Sequence, residues 1–263
     1  MNQYRTLLVE SPVNGPVICQ FNLPETRNAL SREMVNEIRD LLNTLAIRDE
    51  IPTIIFTGSD KSFISGADIS ELLERRKEDA LKKINATLFD EIEAFPSPTI
   101  AAVRGWALGG GCELAMACDL IIAADHVEFA LPEMPLGMVP DAGAIQRLPR
   151  RLPYNIAMEM LLLGRRMSAE EAARRGLINA VVPADSLMTR AREWADQIAD
   201  SAPLAVQTVK EVLRAIEGDT VENAFQTMRT GDLPVYRKML KSDDAKEGVR
   251  AFVEKRKPEF RGE

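Results

Sequence analysis

Residues 104–115 read RGWALGGGCELA, with three consecutive glycines between a β-branched run and a stretch typical of a helix. Glycine lets a ligand approach the backbone and tolerates unusual φ angles. A helix starting there would offer unpaired N–H groups and the positive end of its dipole, which suit a developing negative charge. Glu113 would lie in its first turn. A tight turn with an acid favoured by the helix dipole explains the residues equally well, so both interpretations stay open.

A second glycine loop, FISGAD at residues 63–68, follows an apolar run that ends near Thr57. Its backbone N–H groups could supply the second donor of an oxyanion hole, where preorganised dipoles stabilise a negative oxygen. The alternative is an ordinary surface turn in which Asp68 caps the following helix.

Further carboxylates follow in LPE at residues 131–133 and in GMVPDAG at residues 137–143. Glu113, Glu133 and Asp141 around one glycine-lined cleft could serve as general acids and bases without a histidine. Solvated surface acids are the commoner explanation for any one of them. Asp141 could instead be the N-cap of a helix through Gln146 and Leu148.

The residues around these motifs predict alternating strands and helices. Buried strands are expected at Val17–Phe21, Thr53–Thr57, Thr99–Val103 and Leu120–Ala123. A helix capped by Ser31 would bury Met34, Ile38, Leu41, Leu42 and Leu45 on one face. A second helix, near Ala80 to Ala94 and with Leu81 on its apolar face, should end before Pro96. This alternation predicts an α/β fold.

Strand patterns stop after Asp185. Helices are predicted at residues 186–201, 203–217, 221–240 and 243–255. We therefore predict an α/β core over residues 1–200, followed by a helical C-terminal segment over residues 201–263.

Composition excludes several classes of function. The net charge of −7 disfavours nucleic acids and anionic membranes as partners. We expect no membrane span and no signal peptide, because no apolar run approaches about 20 residues. One histidine, His126, leaves no multi-histidine metal site. Cys19, Cys112 and Cys118 lack paired ligand spacing and indicate reduced thiols in a cytoplasmic protein.

Taken together, the motifs resemble those of the crotonase superfamily, the enoyl-CoA hydratase/isomerase family, over nearly the whole chain. The matching pieces run in family order: NLP at 22–24 with NAL at 28–30, SGAD at 65–68, GGGCE at 109–113, PE at 132–133, QRL at 146–148 and FVEKR at 252–256. The resemblance implies a crotonase-like spiral of ββα units with a helical C-terminal trimerisation segment. It also implies a homo-oligomer, either a trimer or a dimer of trimers.

The resemblance further implies an acyl-CoA thioester substrate, held with its carbonyl oxygen between the backbone amides of Ala67 and Gly110. Glu113 would activate water for syn addition to the β-carbon of a trans-2-enoyl-CoA, and Glu133 would handle the α-proton. Two carboxylates can divide such duties. Members that only shift a double bond commonly lose the first acid, so both glutamates favour hydration. No metal and no redox cofactor is implied, because coenzyme A is part of the substrate.

Asp141 stands where many hydratases have glycine. Dienoyl-CoA isomerases place an aspartate there, although they pair it with Asp at the position of Glu113. Aryl-CoA dehalogenases do so too, yet lack the acid at the position of Glu133. Carnitinyl-CoA (crotonobetainyl-CoA) dehydratases are the most similar, with both glutamates and the sequence VPD. Dienoyl isomerisation by Glu133 and Asp141, or carnitinyl-CoA dehydration, are thus the alternative activities.

The residues expected to bind substrate and CoA are Arg27, Ser65, Ala67, Asp68, Ile69, Gly109, Gly110, Pro132, Gly137 and Lys255. A solvated lysine explains Lys255 equally well. An RNA-binding branch of the family and a catalytically silent CoA-thioester binder represent other classes of function. The negative charge argues against the first, and three intact carboxylates argue against the second.

Overall fold

The computed structural model describes residues 4–13, 15–74 and 83–263. Within these ranges ten strands form two sheets. The strands are β1 (Leu7–Glu10), β2 (Val17–Phe21), β3 (Ile54–Thr57), β4 (Ser62–Ile64), β5 (Thr99–Val103), β6 (Trp106–Leu108), β7 (Leu120–Ala124), β8 (Glu128–Ala130), β9 (Met167–Ser168) and β10 (Ala180–Val182).

The first sheet has the order β1-β2-β3-β5-β7-β10 and is parallel except for the β1–β2 pair. The second has the order β4-β6-β8-β9 and is parallel except for β8–β9. Each of the pairs β3–β4, β5–β6 and β7–β8 gives its first strand to the large sheet and its second to the small one. This is the expected spiral of strand pairs and helices.

Twelve α-helices lie in the described residues. They are α1 (Arg32–Ala46), α2 (Ile69–Glu74), α3 (Ile84–Glu93), α4 (Gly110–Ala117), α5 (Ala144–Arg151), α6 (Tyr154–Leu163), α7 (Ala169–Arg175), α8 (Leu187–Ala199), α9 (Pro203–Ala215), α10 (Val221–Thr230), α11 (Pro234–Met239) and α12 (Asp243–Glu254). None of these is long and apolar enough to cross a membrane.

The first helix follows its sequence pattern closely. The Ser31 hydroxyl accepts a hydrogen bond from the Met34 amide at 3.2 Å and caps α1. All five apolar positions of the predicted face are buried. The predicted second helix is present as α3, whereas Ala80 and Leu81, at its expected start, lie outside the described residues.

Apolar side chains cover both faces of the large sheet. On one face, Ile18, Ile55, Ile100 and Ile122 pack against α8. The opposite face belongs to the larger core, in which α1 and α3 bury their apolar sides. The sheet is thus sealed on both sides, which explains why its strands read as continuous apolar runs.

The prediction of a single helix over residues 221–240 is wrong. The structure divides it into α10 and α11 at residues 231–233. Pro234 lacks an N–H group and disfavours helical geometry at the preceding residue, so it fits the first turn of a new helix better than the interior of an old one.

Candidate active site

A cleft of about 640 Å³ opens where the two glycine loops meet the segment after β8. It brings together most of the residues singled out from the sequence. They are Ser65, Ala67, Asp68, Ile69, Gly109, Gly110, Glu113, Pro132, Glu133 and Asp141. One cavity therefore collects side chains and backbone from three separate segments of the chain.

The loop before α2 is fixed by an isolated bridge to Leu30. The Leu30 amide donates to the Gly66 carbonyl oxygen at 2.8 Å, and the Asp68 amide donates to the Leu30 carbonyl oxygen at 3.3 Å. In a parallel bridge of this kind the residue between those two bonds turns its own N–H away from the partner. The Ala67 amide is therefore left for the cleft.

The second loop forms the start of α4. Gly109 has φ of 51° and donates its amide to the Ala130 carbonyl oxygen at 2.8 Å, and the helix begins at Gly110. A Cβ atom on Gly110 would lie 4.0 Å from the Ala67 nitrogen, so the two loops are close neighbours. Within the part of the chain that the structure describes, neither the Ala67 nor the Gly110 amide donates to a protein acceptor.

Glu113 lies in the first turn of α4, as expected, and is 3% exposed. Its Oε1 atom accepts a hydrogen bond from the Ala144 amide at 3.0 Å. Burial raises the pKa of Glu113 to about 7, and the nearby charges of Glu133 and Asp141 act in the same direction. The amides of Ala144 and Ala142 oppose this rise because they favour the ionised carboxylate.

Glu133 follows β8 and is half-buried. Its Oε2 atom is buried without a hydrogen-bond partner among the described residues. Burial raises the pKa of Glu133 to about 7, with a further contribution from the charge of Asp141. A Cβ atom on Gly109 would come within 2.5 Å of its Oε1 atom, so the carboxyl group occupies space that only glycine leaves open.

The two aspartates differ from each other. Asp68 accepts hydrogen bonds from the amides of Ser70 and Glu71, at 2.9 and 3.2 Å, and so caps α2 as the alternative interpretation proposed. Its contact with the Ser70 hydroxyl lowers the pKa of Asp68. The N-cap interpretation of Asp141 is wrong, because Gly143 occupies that position of α5 and Asp141 lines the cleft.

Three sequence-predicted binding residues are not among those lining the cleft. The Arg27 guanidinium lies 5.2 Å from the centroid of the Trp106 ring. Gly137 ends a short 3-10 turn with φ of 70°. Lys255 is the left-handed cap residue at the end of α12.

Sequence reasoning missed several residues that line the cleft, among them Leu72, Asn85, Leu136, Met138 and Val139. Asn85 carries no sequence signal, because it belongs to a helix far from the glycine motifs. Leu136 and Val139 are exposed apolar side chains in the proline-rich segment after Glu133. Their position between two predicted acids was the available signal.

Such an arrangement can polarise a carbonyl oxygen with two amides and exchange protons with the carbons beside it. Carboxyl groups with pKa values near neutrality suit proton transfer in both directions. Fold and cleft together define an enzyme of the crotonase class.

Comparisons with known proteins give the same answer. Residues 14–263 match the family model described as enoyl-CoA hydratase/isomerase, and the chain belongs to that family. It is 44% identical over 239 residues to a carnitinyl-CoA dehydratase of Proteus mirabilis, covering 89% of this chain and 91% of that one. It is 41% identical over 258 residues to a probable enoyl-CoA hydratase of Mycobacterium tuberculosis, covering 98% of each.

Solved structures are also similar. An enoyl-CoA hydratase from Bacillus anthracis superposes with a TM-score of 0.92 at 34% identity, covering 98% of this chain and 100% of that chain. An enoyl-CoA hydratase subunit from Geobacillus kaustophilus gives 0.90 at 36% identity, with all of both chains covered. Membership of this family implies a CoA thioester substrate.

Proposed function

We propose that this protein is an enoyl-CoA hydratase, which adds water in syn fashion across the 2,3 double bond of a trans-2-enoyl-CoA. One observation carries the proposal: Glu113 and Glu133, both with pKa values raised to about 7, line the cleft that also holds the free amides of Ala67 and Gly110. The chemistry calls on no metal and no redox cofactor, because coenzyme A is part of the substrate.

In this mechanism the thioester oxygen accepts hydrogen bonds from the Ala67 and Gly110 amides. Addition of water to the β-carbon pushes electrons through the α-carbon onto that oxygen, giving an enolate. Two fixed donors stabilise the new charge at no cost in reorganisation, and each such donor is typically worth about 3 kcal/mol.

The two glutamates divide the proton transfers. Ionised Glu113 takes a proton from water as the oxygen bonds to the β-carbon, and protonated Glu133 gives its proton to the α-carbon. Each turnover leaves Glu113 protonated and Glu133 ionised, so before the next turnover Glu113 must release its proton to solvent and Glu133 must take one up, with no net change on the pair. Close carboxyls with similar pKa values favour the required state, with one proton on the pair.

The test is hydration of crotonyl-CoA, followed as loss of the enoyl-thioester absorbance. Wild type should turn over, and Glu133→Gln and Glu113→Gln should each lower kcat by roughly a thousandfold, since proton transfer is lost. Glu128→Gln is the matched control, because Glu128 lies at the start of β8 and pairs with Arg166 on the surface. Full activity in either active-site variant would refute the assignment.

A second candidate is dehydration of a β-hydroxyacyl-CoA that carries a cationic group, as the name of the Proteus mirabilis relative suggests. Four acids line the cleft, namely Asp68, Glu113, Glu133 and Asp141, and no lysine or arginine does so within the described residues. Arg32 and Lys83 line an adjoining hollow instead. Asp141 lines both hollows, and the surplus of acids in the cleft favours a positive substituent there.

A matched pair of substrates separates these two candidates. Crotonobetainyl-CoA carries a γ-trimethylammonium group, and 5,5-dimethylhex-2-enoyl-CoA replaces that nitrogen by carbon at the same size. A cation-selective enzyme should prefer the first, and Asp141→Asn should remove the preference. Equal kcat/KM values support the plain hydratase. Turnover of a dienoyl-CoA alone would indicate isomerisation by Glu133 and Asp141.

We also propose that the protein is a homotrimer or a dimer of trimers. Apolar side chains on the C-terminal helices are exposed, among them Leu213 on α9, Phe225 on α10 and Phe252 on α12. Such concentrated apolar surface is typical of subunit interfaces. Native mass spectrometry should give three or six subunits. A monomer that remains active would contradict this.

A further inference from the structure

Arg147, on α5, is buried and belongs to no part of the mechanism above. Its side chain is 9% exposed. The Nε atom donates to Glu93 Oε2 at 3.2 Å and Nη2 contacts Asp90 Oδ1 at 3.1 Å, both on α3. On its other side Nη1 donates to the Ala142 carbonyl oxygen at 3.3 Å. One guanidinium group thus joins α3 to the segment preceding α5.

That segment also reaches the buried glutamate of the cleft. Ala142 accepts from Arg147, and two residues later the Ala144 amide donates to Glu113 Oε1. Residues 142–144 therefore accept a hydrogen bond from Arg147 and donate one to Glu113.

Gly143, between these two residues, is shaped to admit the guanidinium. Its φ of 125° is rarely adopted by other residues, and a Cβ atom there would overlap Arg147 Nη1. The absence of a side chain at position 143 is thus a condition for the contact between Arg147 and Ala142.

We propose that Arg147 is a positioning residue for Glu113: it fixes residues 142–144 so that the Ala144 amide meets the Glu113 carboxyl group. Arg147 acts through backbone and touches no substrate. Its catalytic consequence rests on the proposed function, in which Glu113 is the base. Because the Ala144 amide stabilises the ionised form, loosening this segment should raise the pKa of Glu113.

Other charges around Glu113 must be separated from this effect. Glu133 and Asp141 face it across the cleft. On α5, Arg151 donates to the Met116 carbonyl oxygen at the end of α4. Lysine at position 147 would keep the positive charge but cannot bridge three acceptors with a rigid fork. Arg147→Lys therefore tests how the position of residues 142–144 affects Glu113 while the charge at position 147 stays the same.

The experiment titrates Glu113 by ¹³C NMR with δ-labelled glutamate, assigned with Glu113→Gln, and measures the pH profile of kcat/KM. In Arg147→Lys we expect the Glu113 titration and the acid limb of the profile to move to higher pH. We expect kcat/KM at neutral pH to fall roughly tenfold to a hundredfold, as a misplaced catalytic group does. Arg150→Lys, an exposed neighbour paired with Glu217, should behave as wild type.

An unchanged Glu113 titration in folded Arg147→Lys overturns the proposal. If that variant does not fold, Gly143→Ala displaces the guanidinium by another route and should move the titration in the same direction; no movement there is equally decisive. If wild type hydrates no enoyl-CoA, the proposed function fails, while the NMR titration still decides whether Arg147 positions Glu113.

Discussion

Glu113 and Glu133 reach the same cleft from regions that hold them differently. Glu113 belongs to a helix whose residues are all buried, and its carboxyl group is tied to the Ala144 amide. Glu133 belongs to a turn with exposed neighbours, and one of its oxygens has no partner among the described residues. Burial nevertheless raises the pKa of each carboxyl group to about 7.

The comparison shows that two carboxyl groups can have similar pKa values although their surroundings differ. At Glu113 nearly complete burial is partly offset by hydrogen bonds to the ionised form. At Glu133 the burial is less complete, but fewer hydrogen bonds oppose it. The Glu113 carboxyl group is held by its hydrogen bond to the Ala144 amide. The Glu133 carboxyl group occupies the space that a side chain at Gly109 would fill.

Among variants that keep both glutamates, the largest expected effect comes from filling the space beside Glu133. Gly109→Ala should place a methyl group against its Oε1 atom and lower kcat/KM roughly a hundredfold, because the acid is displaced. Steady-state kinetics on crotonyl-CoA measures this. Gly218→Ala is the control, since Gly218 also has positive φ, yet a Cβ atom there meets nothing within 4 Å. Equal losses in both variants would mean that backbone strain alone is responsible.

A smaller effect should follow from removing the third carboxylate. The charge of Asp141 raises the pKa of both Glu113 and Glu133, so Asp141→Asn should lower both values. The whole kcat/KM profile should then move to lower pH, by less than about one pH unit. Asp219→Asn, an exposed change of the same charge, should leave the profile in place. A profile that moves only on one limb would show that Asp141 acts on one glutamate.

A third effect concerns stability rather than activity and separates the two regions. An acid whose pKa rises from 4.5 to about 7 on folding destabilises the fold progressively as pH increases through that interval. Glu113→Gln mimics the protonated form, so at pH 8 it should raise the free energy of unfolding by about 3 kcal/mol at most. Glu133→Gln should gain less, because Glu133 is more exposed.

Thermal unfolding at pH 8 and at pH 4 measures the change in stability of Glu113→Gln and of Glu133→Gln. The gain should be a few degrees at pH 8 and vanish at pH 4, where the wild-type carboxyl groups are protonated in either state. Glu128→Gln should change little at both. A gain for Glu113→Gln that persists at pH 4 would assign it to packing rather than ionisation.

Sequence patterns predicted the four central strands of the large sheet, but missed its edge strands β1 and β10 and all strands of the small sheet. Strands β2 and β5 match their expected bounds because both faces of that sheet are covered, which leaves an uninterrupted apolar run. Strands β4, β6 and β8 have three residues each, too few to show a period. Their existence depends on partners from distant segments, which local preference does not encode.

Most of the residues predicted for the site line the cleft, but the contacts among them were not predicted. Glycine runs beside acids pointed to Glu113 and Glu133. The Ala144 amide that holds Glu113, and the Arg147 fork behind it, depend on segments more than 30 residues apart. Asp141 was open to two interpretations because a cap and a cleft acid share the same local sequence. Only the backbone course at Gly143 distinguishes them.

In the proposed mechanism the groups that polarise the thioester are peptide N–H groups, and this has a consequence for mutational scans. Every amino acid except proline carries such a group, so exchanging the side chain at position 67 leaves the donor in place. A deep mutational scan could thus find that position 67 tolerates substitution although its backbone amide is essential to the proposed mechanism. Replacing the peptide N–H at position 67 by an ester oxygen, through incorporation of an α-hydroxy acid or through chemical ligation, would remove the donor and test its role.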